Sequence, residues 1–122
     1  MRSKHFFLRS RISSFGFAFR GLVSFFQEEP NARIHLAFTI GVIAMSVYFK
    51  LSAAEMIALT IAIAMVWVAE IFNTAIERVM DFISMEKNPN IKFIKDLAAC
   101  GVLLSAIAAL ITGLLIFLPK II

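Results

Sequence analysis

Read for its alternation of apolar and polar positions, the chain falls into four helical stretches joined by short polar breaks. In the first, Phe15, Phe19, Leu22 and Phe26 recur at offsets of four, three and four, while Arg9, Ser13, Arg20 and Ser24 lie on or near the other side. This spacing predicts an amphipathic helix over about residues 6–29, with bases at the level of phosphate head groups and phenyl rings at the acyl boundary of a membrane surface. Packing of the same face on its own protein is the alternative. Residues 1–5 are basic and are expected to fray. Gln27 to Asn31 should break the helix, because Pro30 disfavours helical geometry in the residue before it and suits a first helical turn itself.

A second helix is expected over residues 31–50. Its apolar part, Ile34 to Phe49, is about 16 residues long, so Arg33 and His35 should sit in the interfacial zone of a membrane span. Lys50 to Ala53 form a short turn, and Ser52 with Glu55 three residues on reads as a capping box. So short a connection implies an antiparallel hairpin. The third helix, residues 53–83, holds a clean apolar run from Met56 to Ala69, with Trp67 near its end. Ser84 to Ile94 read as a polar connection, and a last span follows over residues 95–118, ended by Pro119 and Lys120. Ala98, Ala99, Gly101, Ser105, Ala106, Ala108, Ala109 and Gly113 give it a small-residue side that allows close helix contacts in lipid.

Composition fixes the class. Of the 122 residues 61% are hydrophobic and 16% charged, with a mean hydropathy of +0.90, far more apolar surface than a soluble domain of this size can hide. The reading is a single-domain, all-α membrane protein, with an N-terminal surface helix and three transmembrane helices in residues 1–122. The N-terminus is expected to be retained and not cleaved as a signal peptide, since Arg9 and Arg11 interrupt the apolar residues before a signal core develops. The net charge of +4 leaves no soluble basic face for nucleic acid once the spans are inserted. Lys and Arg concentrate in the N-terminal region and between Arg78 and Lys95, with only Lys50 and Lys120 elsewhere. The positive-inside rule therefore puts the N-terminus and the last interhelical loop in the cytoplasm and the C-terminus outside. Cys100, the lone cysteine, can form no internal disulfide or thiolate cluster and reads as a packing residue.

Against this background Glu70, Asn73, Glu77 and Asp81 stand out. At about 100° per residue they fall within a sector of roughly 80° on one helix face. A carboxylate in hydrocarbon costs about 2.5 to 3.5 kcal/mol on insertion scales, so three on one stripe call for a cation, a partner or water. Pairing with Arg78, Lys95 or Arg33 in a buried network would meet that need. Metal binding would meet it too, since Mg²⁺ is commonly held by one or two carboxylates together with substrate phosphates, which Glu77 and Glu29 could supply. Glu70 lies nearer the hydrocarbon, where desolvation disfavours its charged form and suits it to take up a proton. No phosphate-binding glycine loop is present: Gly16 and Gly21 have the right separation, but Leu22 and Val23 follow. A proton-coupled transporter using Glu70, or a structural membrane subunit using the stripe as a contact, remains open at this point.

Four blocks carry a resemblance. AEIFNTAIERVMD from Ala69 to Asp81, IKDLAACGV from Ile94 to Val102, FAFRGL from Phe17 to Leu22 and EPNARIH from Glu29 to His35 closely resemble the motifs of the prokaryotic diacylglycerol kinase family. These are small lipid kinases of the bacterial inner membrane, and the family includes undecaprenol kinases. The resemblance implies a homotrimer with shared sites that transfers the γ-phosphate of Mg-ATP to a lipid hydroxyl. It also implies Glu70 as proton acceptor, with Glu29 and Glu77 as metal ligands. Nucleotide contacts would come from Phe17, Glu29, Asn73, Glu77, Asp81, Glu86, Lys95 and Asp96, and substrate contacts from Glu70, Arg33 and Arg11. The run from Asn31 to His35 is similar to the undecaprenol kinase branch. Ser10 departs from the family pattern, standing where a basic residue is expected, with Arg9 and Arg11 beside it.

Overall fold

A computed structural model describes residues 2–122, with side chains from Lys4 onward. Among them it shows four helices and no strand: α1 (Arg2–Glu28), α2 (Pro30–Tyr48), α3 (Ala53–Ile83) and α4 (Pro89–Ile121). They divide into two compact units, one ending at Ala37 and the other Phe38–Ile122, with the boundary inside α2. The all-α expectation holds. Two helices, α3 and α4, are long and apolar enough to cross a membrane. That is one fewer than the three spans expected: α2 has 19 residues and opens on the polar run Pro-Asn-Ala-Arg-Ile-His.

In the first unit α1 begins at Arg2, inside the stretch expected to fray, while Met1 and the side chains of Arg2 and Ser3 lie outside the described residues. No glycine or proline interrupts this stretch, and arginine and lysine are good helix formers. Arg11 lies over the Phe7 ring at 4.8 Å and Arg20 over the Phe17 ring at 4.9 Å, each a contact along one helix face. Phe6, Phe15, Phe17 and Phe19 all stand exposed.

Glu29 alone separates α1 from α2. Its N–H still donates to the Phe25 carbonyl at 3.0 Å, and its carbonyl accepts from Ala32 N–H at 3.1 Å, so the same residue closes one helix and opens the next. Pro30 makes this possible: it has no N–H to donate back into α1, and its fixed φ is preset for a first helical position. Arg33 reaches back across the break, donating from Nε to the Phe26 carbonyl at 3.2 Å and from Nη2 to the Gln27 carbonyl at 3.3 Å. A cation there satisfies carbonyls that the end of α1 leaves open and meets the negative end of its dipole.

In the second unit the turn after α2 closes through Lys50, whose φ of 51° lies in the left-handed region. Lys50 N–H donates to Val47 O at 3.3 Å and Leu51 N–H to Ser46 O at 3.2 Å, the paired bonds of a Schellman cap. Ser52 then caps α3: Glu55 N–H donates to Ser52 Oγ at 3.2 Å and Ser52 N–H to Glu55 Oε1 at 3.0 Å. The expected capping box is therefore present.

Helix α3 packs on α4 as an antiparallel pair held at each end by charge. Lys120 Nζ reaches Glu55 Oε2 at 3.0 Å at one end, and Lys95 meets Asp81 at the other. On α4 the shielded positions include Ala98, Val102, Ser105, Ala109, Gly113 and Phe117, spaced by threes and fours, so part of the small-residue side is covered; Ala99, Gly101 and Ala108 stand exposed. On α3 Leu59, Val66 and Glu70 are buried. The Phe49 and Phe117 rings meet at 6.0 Å, closing the seam near the Lys50 turn.

Helix α4 differs from expectation at both ends. It starts at Pro89, inside what reads as a polar connection, because Asn88 Oδ1 accepts from Asn90 N–H at 2.8 Å and Pro89 fits the first turn. It also runs through Pro119 to Ile121. So near the helix end a missing N–H removes little, and Ile122 N–H still bonds to Leu118 O at 3.0 Å.

Candidate active site

The four polar residues of α3 share one face, as their spacing requires, and that face is shielded. Glu70 is buried with only 8% of its surface exposed, and Asn73, Glu77 and Asp81 are half-buried. Helix α3 is 31 residues long, which is about 46 Å, against about 30 Å of bilayer hydrocarbon. Glu70 follows the apolar run directly, and Glu77 and Asp81 continue beyond it along the helix. A carboxylate buried there must exchange charge, a proton or hydrogen bonds with something close by.

Along the stripe, Asn73 Nδ2 makes a long 3.5 Å contact to Glu77 Oε1. Its carbonyl oxygen is different: Asn73 Oδ1 is buried with no hydrogen-bond partner. Native interiors pair nearly all such atoms, and an orphan acceptor beside a carboxylate is what a cation or a ligand donor would complete. Among the described residues no group of three or more His, Cys, Asp or Glu side chains is gathered as a metal site. Magnesium asks for less, commonly one or two carboxylates with phosphate oxygens completing the shell, and Glu77 on this face is a hard oxygen donor of the kind that ion takes.

Asp81 and Lys95 are paired across α3 and α4. One turn along α4, Lys92 pairs with Asp96. Glu86 is exposed in the connection between the two helices, its N–H bonded to Ser84 Oγ at 3.1 Å. Thus Glu70, Asn73, Glu77, Asp81 and Lys95 are brought together along one seam, while Asp96, the residue after Lys95, is turned away from it and exposed. Phe17, Glu29, Arg33 and Arg11 belong to the first unit, where Glu29 is half-buried at the α1–α2 break. There Phe17 and Arg11 are exposed, each in a cation–π pair, and Arg33 is engaged on the carbonyls ending α1.

A family model for prokaryotic diacylglycerol kinase matches residues 16–117, most of the chain and all of the stripe. The chain belongs to the prokaryotic diacylglycerol kinase family. Among relatives of this family, the undecaprenol kinase of Bacillus subtilis is 36% identical over 107 residues, covering 88% of this chain and 87% of that protein. The diacylglycerol kinase of Synechocystis is also 36% identical over 107 residues, covering 87% of this chain but 61% of the longer cyanobacterial protein. Membership of this membrane-protein family, with two helices able to span, places the chain in a membrane.

Two contacts escape sequence reasoning. Trp67 Nε1 donates to Thr39 Oγ1 at 3.0 Å, joining α3 to α2, and Glu55 pairs with Lys120. The first joins residues 28 apart in the chain, and no periodicity within one helix signals it. For the second, the capping box marks Glu55 but gives no hint that its other oxygen takes a lysine from the end of α4.

Proposed function

We propose that the protein is an integral-membrane lipid kinase transferring the γ-phosphate of Mg-ATP to the hydroxyl of a membrane lipid alcohol, diacylglycerol or undecaprenol. The observation that carries this reading is the buried Glu70 beside the unpartnered Asn73 oxygen and Glu77, inside the stretch matched by the family model. The family match favours it over a proton-coupled transporter or a structural subunit.

In this reading the lipid hydroxyl arrives at the interface depth of Glu70 while the nucleotide stays in water. Glu70 takes the hydroxyl proton as the lipid oxygen bonds to the γ-phosphorus and the bond from that phosphorus to ADP breaks; the proton then leaves Glu70 for water. Glu77 and Glu29 would hold Mg²⁺, which when bound would neutralise charge on the phosphoryl oxygens, and Asn73 would help to position the reacting groups. Lys95 leaves or shares Asp81 to meet nucleotide phosphate, while Asp96, Glu86 and Phe17 complete the nucleotide contacts and Arg33 and Arg11 those to substrate. Phosphoryl transfer depends mainly on positioning and charge neutralisation, so these parts are sufficient.

For the assembly we propose a homotrimer of three-span subunits in the bacterial inner membrane, with α2 as the remaining span. The surface helix and the α3–α4 connection face the cytoplasm and the C-terminus faces outside. Three copies would supply the enclosing faces that one chain lacks, and the broad exposed apolar surface of α4, including Leu103, Leu104, Leu110 and Leu115, suits lipid or a neighbour. The test is to incubate purified protein with labelled ATP, Mg²⁺ and either diacylglycerol or undecaprenol. Labelled lipid phosphate is expected; no transfer to any lipid alcohol would reject the reading.

A further inference from the structure

The apolar run of α3, Met56 to Ala69, ends immediately before Glu70, so the hydrocarbon lies on the N-terminal side of that carboxylate. Any bilayer alcohol whose hydroxyl reaches Glu70 must therefore trail its carbons back past the residues one turn earlier on the same side. Those are Val66, four residues back and buried, and Trp67, three residues back and half-buried. Trp67 is about 4.5 Å from Glu70 along the helix axis, a distance of roughly three to four bonds of a lipid chain. The position matters because Glu70 is too well shielded to be approached broadly.

The indole is also fixed. Its N–H donates to Thr39 Oγ1 at 3.0 Å, and Thr39 stands on α2, so the ring is tied to a neighbouring helix. A tryptophan serving only as an interfacial anchor presents its N–H to water and head groups. Here that donor is spent inside the protein, which fixes a large ring one helical turn before the carboxylate.

We propose that Trp67, held by Thr39, is a specificity-determining residue that narrows the acceptor path to Glu70 and selects a single-chain polyprenol over a two-chain glycerol lipid. The inference rests on the lipid-kinase reading above and deepens it. A diacylglycerol carries a branching acyl ester on the carbon next to its CH₂OH group, at the depth of the indole. A polyprenol carries a flat alkene there, able to lie along the ring face. Selection is thus by width close to the hydroxyl, and it acts against the glycerol lipid.

The test compares kcat/KM for undecaprenol and for a diacylglycerol, at equal mole fraction in mixed micelles, in the unmodified chain and in Trp67→Met, Trp67→Phe and Thr39→Val. The unmodified chain is expected to prefer undecaprenol. Trp67→Met should shift the ratio toward diacylglycerol by about tenfold, the scale at which pocket size discriminates. Trp67→Phe and Thr39→Val should shift it the same way by less, and either one carries the test should Trp67→Met fail to fold. A merely structural role lowers both rates together and leaves the ratio where it was. An unmoved ratio in folded variants overturns the inference while leaving the kinase reading intact. Transfer by the unmodified chain to neither alcohol overturns the kinase reading, and this inference with it.

Discussion

The two ends of the α3–α4 pair carry charge in different ways. At the Lys50 turn Glu55 is used on all sides: one oxygen accepts from Ser52 N–H and the other takes Lys120. At the opposite end Asp81 has Lys95, but the stripe behind it holds a buried Glu70, a half-buried Glu77 and an Asn73 oxygen with no partner. One end is complete in itself and the other is not. Charge inside a membrane helix is therefore a weak marker of function, whereas a shielded carboxylate next to an unanswered polar atom is a strong one, because folding alone gives no reason to keep it.

The largest expected effect comes from the open end. Glu70→Gln keeps the shape of the side chain but removes its ability to take a full proton, and transfer to lipid should fall by at least about 100-fold in an initial-rate assay. Undiminished transfer would remove the base assignment and weaken the contrast between the ends. Glu77→Gln should raise the Mg²⁺ concentration needed for half-maximal rate, read from a titration at fixed ATP; an unchanged titration would argue against ligation at that residue.

Changes at the closed end should register in stability and not in chemistry. Ser52→Ala removes the cap from α3 and should cost about 1 kcal/mol, seen as a lower melting temperature in detergent, with the transfer rate per folded protein unchanged. Lys120→Met should cost less than loss of the cap, because both partners are partly exposed to solvent and an ion pair of that kind contributes little. A large loss of transfer in either variant would mean that the two ends are coupled, and the comparison would then break.

Much of this contrast is legible in the sequence, for a definite reason. Local rules act over three or four residues, so the Ser52–Glu55 box, the Pro30 break and the common face of Glu70, Asn73, Glu77 and Asp81 can be read directly from spacing. The start of α4 is misread because Asn90 and Lys92 resemble loop residues, while the Asn88 cap that makes them helical depends on a backbone turn no composition reveals. Contacts distant in sequence are harder still. Lys95 is one of several basic residues that could answer the acidic stripe, and only the packing of α4 on α3 singles out Asp81 for it. Nothing local announces that Thr39 would fix Trp67, or that Glu55 would meet a lysine at the far end of the chain. The roles of Phe17, Arg11, Glu86 and Asp96 rest on the family's motifs, since local pattern gives each residue a place and no chemistry.

One measurement reaches the central claim most directly: single-turnover transfer of label from ATP to a lipid alcohol, run side by side on Glu70→Gln and Glu55→Gln. Each substitution removes one carboxylate from the same helix. The account predicts that transfer is lost from Glu70→Gln and kept in Glu55→Gln. Equal loss in both, or equal retention, would contradict it.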